Sequence, residues 1–243
     1  MAQAGGASRL GGWRTSLIAG AAGLLIGGLA VALYYGVRAP SRADTEAIVH
    51  NYILDHGELL PKAIERMERR QAASAVTRNR AALETPWRGA WAGAANGDVV
   101  LVQFFDYACG YCRVSNPDID RLLSEDPRLK VVWRELPVLG PDSQAAAHVS
   151  LAAAEQGRFR QFHARMFGLG LPSGAVVAQA VQESGVRPAG QTAAGRAELA
   201  RNIELARAIG ATGTPTFVVG NSVFAGAVGY KALKDGIAAA RAG

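Results

Sequence analysis

The chain has 243 residues, 49% of them hydrophobic, with 26 Lys and Arg against 20 Asp and Glu for a formal charge of +6. A chain of this length and apolar content can bury a full core in one domain with appendages, which excludes disorder throughout. The charge is evenly spread, ten basic and seven acidic side chains in residues 1–84 against sixteen and thirteen in 85–243, and no basic block interleaved with aromatics supports a nucleic-acid partner.

The first long apolar segment, Leu17 to Val37, contains no charge and follows Arg9 and Arg14. About 20 apolar residues span a bilayer, whereas the apolar part of a secretory leader has about 7 to 15. The favoured division is a cytoplasmic terminus at 1–16 and an uncleaved anchor at 17–37. A cleaved leader is the alternative, for which Ser41-Arg42-Ala43 offers a small-x-small pattern. Arg38 and Arg42 lie beyond the span, so positive charge on both sides encodes orientation only weakly.

Residues 38–84 turn helical and polar. Ile48, Tyr52, Leu59, Ala63 and Met67 recur at spacings of about three to four, Asp44 or Thr45 can cap the start, and Pro61 is expected to break or restart the helix, giving two short helices. A solvated tether is one reading. The other is an oligomerisation segment within 44–70, because Ile48, Ile53, Leu54, Leu59, Leu60 and Ile64 are many apolar side chains for a tether to leave in water. The basic stretch Arg69 to Arg80 reads as an exposed helix or linker. Trp87 to Asp98, with three glycines and an Asn96-Gly97 turn, reads as the lead into the next domain.

From residue 85 to 243 the pattern is that of one α/β domain with a mixed sheet covered by helices. Val99 to Phe105 reads as a strand, about Cys109 to Ser124 as a helix with Pro117 kinking it, and Leu129 to Leu136 as a second strand. Helices follow at Ser143 to about Phe167, at Ser173 to Ser184 with Ser173 as cap, and at Gln191 to Ile209 closed by Gly210. Thr216 to Val219 and Ser222 to Ala225 flank a Gly220-Asn221 hairpin turn, and Tyr230 to Arg241 closes the chain as an amphipathic helix.

Both cysteines of the chain, Cys109 and Cys112, stand at the end of the first of these strands. Four ligands usually hold a structural metal, and His50, His56, His148 and His163 are scattered without ligand spacing, so zinc is disfavoured. A disulfide that encloses two residues removes little entropy from the unfolded chain, so redox cycling is the favoured reading over a staple. At a helix start, free amides and the helix dipole favour a thiolate on Cys109, which attacks, while Cys112 lies one turn on and resolves the mixed disulfide. A non-enzymatic alternative is that the two sulfurs bind a soft ion such as Cu(I).

Three motifs, Phe104-Phe105-Asp106-Tyr107-Ala108-Cys109-Gly110-Tyr111-Cys112, Arg134-Glu135-Leu136-Pro137-Val138-Leu139-Gly140 and Gly213-Thr214-Pro215-Thr216-Phe217, resemble the exported DsbA-like thiol-disulfide oxidoreductases of the thioredoxin superfamily. The resemblance implies a thioredoxin fold with a helical insertion at about 143–209. It also implies a cis Thr214-Pro215 bond facing the dithiol, where it aligns the substrate cysteine peptide, and no dissociable cofactor. The implied partners are cysteine-containing exported proteins and a membrane redox partner that resets the dithiol, on the periplasmic side of the bacterial inner membrane. Residues 47–60 with Met67-Glu68-Arg69-Arg70-Gln71 are similar to the helical region of the ScsC, or suppressor-of-copper-sensitivity, group, where some relatives trimerise.

Two departures bear on the chemistry. Some strong oxidases of the family carry a histidine between the cysteines, whereas Gly110 and Tyr111 supply no charge, so a less oxidising couple is expected and disulfide isomerisation is favoured over simple dithiol oxidation. Gln103 stands where many relatives have a glutamate, and an amide cannot relay a proton from Cys112. Glu135, Asp106 or water would have to do so, although Asp106 reads more simply as a turn residue, Glu135 as a surface strand end and His163 as a helix-packing residue.

Overall fold

A computed structural model describes residues 12–38, 41–188 and 190–243, with no side-chain description within 12–19 and 37–38. The chain divides into two compact units at Lys62, each described by itself below.

The first unit holds α1 (Gly12–Arg38) and α2 (Arg42–Asp55). Leu24, Leu25, Ile26 and Leu29 of α1 are all exposed. Part of the expected anchor at 17–37 lies outside the described side chains, as do residues 1–11 of the expected cytoplasmic terminus. Among the described residues no helix is long and apolar enough to cross a membrane. The cap of α2 is Ser41 rather than Asp44 or Thr45: its hydroxyl accepts the Asp44 amide, and the Asp44 carboxylate accepts the Ser41 amide in return. No residue of α2 is buried, and Ile48, Val49, Tyr52 and Leu54 are exposed.

The helix α3 (Leu59–Glu84) carries Pro61 in its first turn, where the missing N–H would have no helical partner anyway, so the proline starts the helix instead of breaking it. Its second half is not an exposed linker. Ala75, Val76 and Leu83 are buried in one apolar cluster with Val102, Phe104 and Val132 of the sheet.

The sheet has five strands, β1 (Trp91–Gly93), β2 (Val99–Phe105), β3 (Leu129–Glu135), β4 (Thr216–Val219) and β5 (Ser222–Ala225), in the order β1-β3-β2-β4-β5. Only β2 and β3 run parallel, with Val99 opposite Leu129 and Phe105 opposite Glu135. The edge strand β1 was not expected from sequence: Gly93, at φ 89, lets the chain pass so close to β3 that an added Cβ would stand 2.2 Å from the Leu129 carbonyl oxygen.

Strand alternation divides the core in two. Leu101 and Phe105 of β2, Val131 and Trp133 of β3 and Phe217 of β4 face one cluster; Val102 and Phe104, Val132 and Val218 face the other. The first face is covered by α4 (Gly110–Glu125), by α5 (Pro141–Glu155), α6 (Phe159–Leu169) and α7 (Gly174–Ser184), and by α9 (Gly229–Ala242). The second is covered by α3 and the end of α8 (Ala193–Ala208). One helix was expected across 143–167. The structure breaks it after Glu155, where Gly157 adopts φ 68, and α6 begins on a new axis at Phe159. Pro117 lies within α4, which continues through it.

Candidate functional site

The apolar strand β2 ends in Asp106-Tyr107-Ala108, and this short turn delivers Cys109 to the N-cap of α4. The turn is held from within. The buried Asp106 carboxylate accepts the Ala108 amide at 2.8 Å and, through its other oxygen, the amides of Val138 and Leu139 at 2.9 and 3.0 Å. One side chain thereby ties the loop after β3 to the turn that carries the cysteines. Asp106 is a turn residue, as its position suggested, but a buried one.

Cys109 has extended backbone angles, φ −81 and ψ 111, and its sulfur accepts the Cys112 amide at 3.4 Å, taking the place of the usual oxygen cap. The Cys109 thiol also donates to the Thr214 carbonyl at 3.1 Å, and Thr214-Pro215 is a cis peptide. Four of the sequence-selected residues, Cys109, Cys112, Thr214 and Pro215, therefore converge. Both cysteines are free thiols. Cys109 retains 7% of its surface and Cys112 none, so only the first can meet another molecule. Burial pushes the Cys112 thiol well above its ordinary range, only partly opposed by the Asp106 backbone.

Gly110 opens α4, and Tyr111 is exposed beside it. Gln103 lies elsewhere in kind: it is fully buried in the middle of β2, opposite Trp133 and Phe217, and both atoms of its amide lack a protein partner. It shares the α4 face of the sheet with Leu101 and Phe105.

Glu135 is not a surface strand end. It is 2% exposed, and neither carboxylate oxygen has a hydrogen-bond partner. Burial holds its carboxyl well above the usual carboxylate range, with the Ser150 hydroxyl opposing and the Asp106 charge adding to the effect. Strand period could have found it, since Leu129, Val131, Trp133 and Glu135 occupy one face of β3. His163 is a packing residue, buried among Phe105, Tyr107, Phe159 and Phe167. Burial keeps it neutral, helped by the nearby Arg160.

Four of the exposed large apolar side chains of this unit flank the site in sequence, Tyr111 and Val114 on the first turn of α4 and Val138 and Leu139 on the loop that Asp106 anchors, while Ile64, Met67 and Leu171 lie elsewhere. Sequence reasoning singled out Tyr111 only for placing no charge between the cysteines, and it did not single out Val114, Val138 or Leu139 as a surface. Among the described residues, no group of three or more His, Cys, Asp or Glu side chains comes together in a way that could hold a metal ion.

Comparison with known proteins agrees with this geometry. A linker-deletion variant of Proteus mirabilis ScsC superposes with a TM-score of 0.72 at 25% identity, over 84% of this chain and 98% of that one. A periplasmic thioredoxin-like protein from Salmonella enterica serovar Typhimurium gives a TM-score of 0.64 at 26% identity, covering 68% and 96%. A thioredoxin-like oxidoreductase from Silicibacter pomeroyi gives 0.60 at 34% identity, covering 63% and 92%. The curated relatives it matches are the Na(+)/H(+) antiporters NhaA 3 of Salinispora tropica and NhaA 1 of Salinispora arenicola, at 37% and 34% identity over 73 residues, and the chain spans 11% of their length. Residues 100–238, from β2 to within α9 and more than half of the sequence, match the family of DSBA-like thioredoxin domains, and the chain belongs to that family.

Proposed function

We propose that the protein is an exported thiol-disulfide oxidoreductase that acts on protein cysteines through Cys109 and Cys112. The observation that carries this reading is the placing of the Cys109 sulfur between the Cys112 amide and the Thr214 carbonyl, with Cys112 buried behind it. Cys109 attacks a client disulfide as the thiolate, forming a mixed disulfide and releasing the client's other sulfur as a thiolate. Cys112 then gives up its proton and attacks the Cys109 sulfur, which releases the second client thiolate and leaves the Cys109-Cys112 disulfide. Run backward, the same two steps oxidise a client dithiol. Tyr111, Val114, Val138 and Leu139 offer an apolar rim to which an unfolded client can adhere before exchange.

Disulfide isomerisation is the favoured direction, because Gly110 and Tyr111 place no charge between the cysteines and a milder couple releases its clients in either state. Apolar side chains at Ile48, Leu54 and Leu60 remain exposed, which supports self-association through residues 44–70, and several sites on one particle can hold and retry a misfolded client. The apolar segment at 17–37 is the support for anchoring the domain on the periplasmic side of the inner membrane, where a membrane redox partner would reset the dithiol. The Salmonella relative is likewise periplasmic.

The test is refolding of a scrambled multi-disulfide substrate, set beside oxidation of a reduced peptide. The proposal expects the full chain to accelerate the first more than the second. Ile48→Asp with Leu60→Asp should then lower both the oligomer mass in light scattering and the isomerase rate. If peptide oxidation dominates, the protein is a dithiol oxidase instead; if Cys109→Ala keeps full exchange activity, the enzymatic reading fails.

A further inference from the structure

The strand β5 ends the sheet, with β4 as its one neighbour among the described residues. Its pairing leaves a fixed set of backbone groups free. The Gly226 amide donates to the Pro215 carbonyl at 2.8 Å, so with Phe217 opposite Phe224 and Val219 opposite Ser222 the hydrogen-bonded pairs fall at Gly226, Phe224 and Ser222. The N–H and C=O of Val223 and Ala225 therefore point away from β4, and no hydrogen bond of the described residues takes them up. Such an edge is a template on which another chain can pair.

A groove of about 700 Å³ lies along that edge. Successive side chains of a strand point to opposite faces, and the groove touches both Val223, which packs on the α3 side of the sheet, and Phe224, which packs on the other. It therefore runs beside β5 and not over one face. Its far wall is α3. Thr77 and Arg80 hold Asn221 at the hairpin turn, and from there α3 runs back along β5, so that residues 65–73 of the helix and 221–225 of the strand line the same groove. Ala72, Ala73 and Val228 complete an apolar floor with Val223 and Phe224. The rim is positive. Arg66, Arg69 and Arg70 stand on it against Glu65 alone; Arg69 pairs with Glu65 at 3.1 Å, and among the described residues Arg66 and Arg70 pair with no acid.

We propose that this groove binds an extended acidic segment of a partner protein, which adds a sixth strand to the sheet against Val223 and Ala225 and points carboxylates at Arg66 and Arg70. The spacing matches. Four residues of helix rise about 6 Å and two residues of strand about 7 Å, so carboxylates at alternate positions of the added strand reach both arginines. Side chains on its other face meet Phe224 and Val228, which favours apolar residues there. Charge argues against a second copy of β5 as the occupant, since pairing two such edges would bring two sets of these arginines together. Residues 1–11 of the chain itself carry Arg9 and no acid, so they do not fit either. Neither cysteine lines the groove, and the partner docks apart from the dithiol.

The test is fluorescence anisotropy of a labelled peptide, Thr-Glu-Val-Glu-Val-Glu-Thr, titrated with the full chain, with Thr-Lys-Val-Lys-Val-Lys-Thr as the control of opposite charge. Saturable binding of the glutamate peptide alone is the expected result. Arg66→Glu with Arg70→Glu changes two exposed side chains that touch no core residue, and it should weaken binding about tenfold or more. With the glutamate peptide saturating, the Val223 and Ala225 amides should exchange their hydrogens at least about tenfold more slowly. Failure of the glutamate peptide to bind would overturn the proposal, as would equal binding of the lysine peptide or undiminished binding by the double arginine variant. Binding that leaves the exchange of both amides unchanged would mean that the arginines attract charge without a strand being added, and would overturn it too. Because neither peptide carries a thiol, the outcome is independent of whether the dithiol proves to be catalytic.

Discussion

The Cys109 thiol and the Thr214 carbonyl oxygen, 105 residues apart in sequence, lie 3.1 Å from each other in the fold. In the proposed mechanism this contact sets the attacking sulfur against the backbone segment on which a client peptide would pair, while Cys112 is fully buried behind the helix start. The two cysteines should therefore differ in kind. Cys109→Ala should reduce exchange to background, whereas Cys112→Ala should still attack and then accumulate mixed disulfides, visible as added mass under non-reducing conditions. In the reduced protein, Cys112 should alkylate at least about tenfold more slowly than in the urea-unfolded chain, tenfold being the change that one pKa unit brings to the thiolate fraction. Equal labelling in both states would contradict the burial on which the order of attack rests.

Asp106 connects the dithiol turn to the rim loop through three amides. Asp106→Ala leaves all three without their acceptor, and a loss of about 1 to 3 kcal/mol in urea unfolding is expected. Hydrogen exchange locates the effect: the amides of Val138 and Leu139 should exchange faster while those of the β2 ladder do not. Since the cysteines themselves are untouched, small-thiol exchange should survive better than activity on an unfolded protein, which needs the Val138 and Leu139 surface in place.

Two buried groups with opposed shifts act on stability near neutral pH. The Glu135 carboxyl is raised well above its ordinary value and His163 is lowered well below its own, each chiefly by burial. Above about pH 4.3 the unfolded chain releases the Glu135 proton that the native state keeps, so stability falls as pH rises toward the native pKa. Below about pH 6.5 the unfolded chain binds a proton on His163 that the native state refuses, so stability falls as pH drops. Between those values the two effects cancel, and a plateau is expected, with a decline on either side approaching about 1.4 kcal/mol per pH unit for each group. Glu135→Gln should flatten the alkaline decline and tilt the plateau, its midpoint falling as pH drops from about 6.5. Urea titrations at a series of pH values read this directly, and an unchanged profile would mean that Glu135 titrates as it would in water.

Periodicity made most of the core legible. The run Leu129 to Leu136 alternates between two buried faces, and that alternation alone puts Glu135 inward with Val131 and Trp133. The surface reading of Glu135 came from its charge and its place at the strand end, which the second layer of helices overrides. The hairpin about Gly220 and Asn221 and the Ser173 cap were readable because local chemistry decides them. The strand β1 was not, since three residues carry no period and its pairing depends on Gly93 meeting a carbonyl of a strand some 36 positions on. The buried half of α3 escaped for a related reason: Ala75 and Ala82 carry little hydrophobic signal, yet both pack in the cluster that joins the helix to β2 and β3.

Arg134 shows what fastens that helix. It is 2% exposed, and its guanidinium donates to the Leu83 carbonyl at 2.9 Å, to the Thr85 carbonyl at 2.6 Å and to the Ala82 carbonyl, while also reaching Asn202 at 2.8 Å and Glu198 at 3.1 Å. The last carbonyls of a helix lack partners within it, so a single side chain from β3 both caps α3 and pairs with α8. The planar fork is what permits this, and a lysine ammonium at the same place cannot reach carbonyls and a carboxylate in so many directions. Arg134→Met should cost about 3 to 5 kcal/mol in urea unfolding, because it strands the Glu198 carboxylate in the interior as well as freeing the α3 end. The double variant Arg134→Met with Glu198→Met separates the two contributions. It should recover the share that belongs to the unpaired charge but not the share that belongs to the cap, so amides in the last turns of α3 should still exchange faster than in the parent. Full recovery in the double variant would mean that the carbonyl contacts add nothing and that α3 is held by Ala75, Val76 and Leu83 alone.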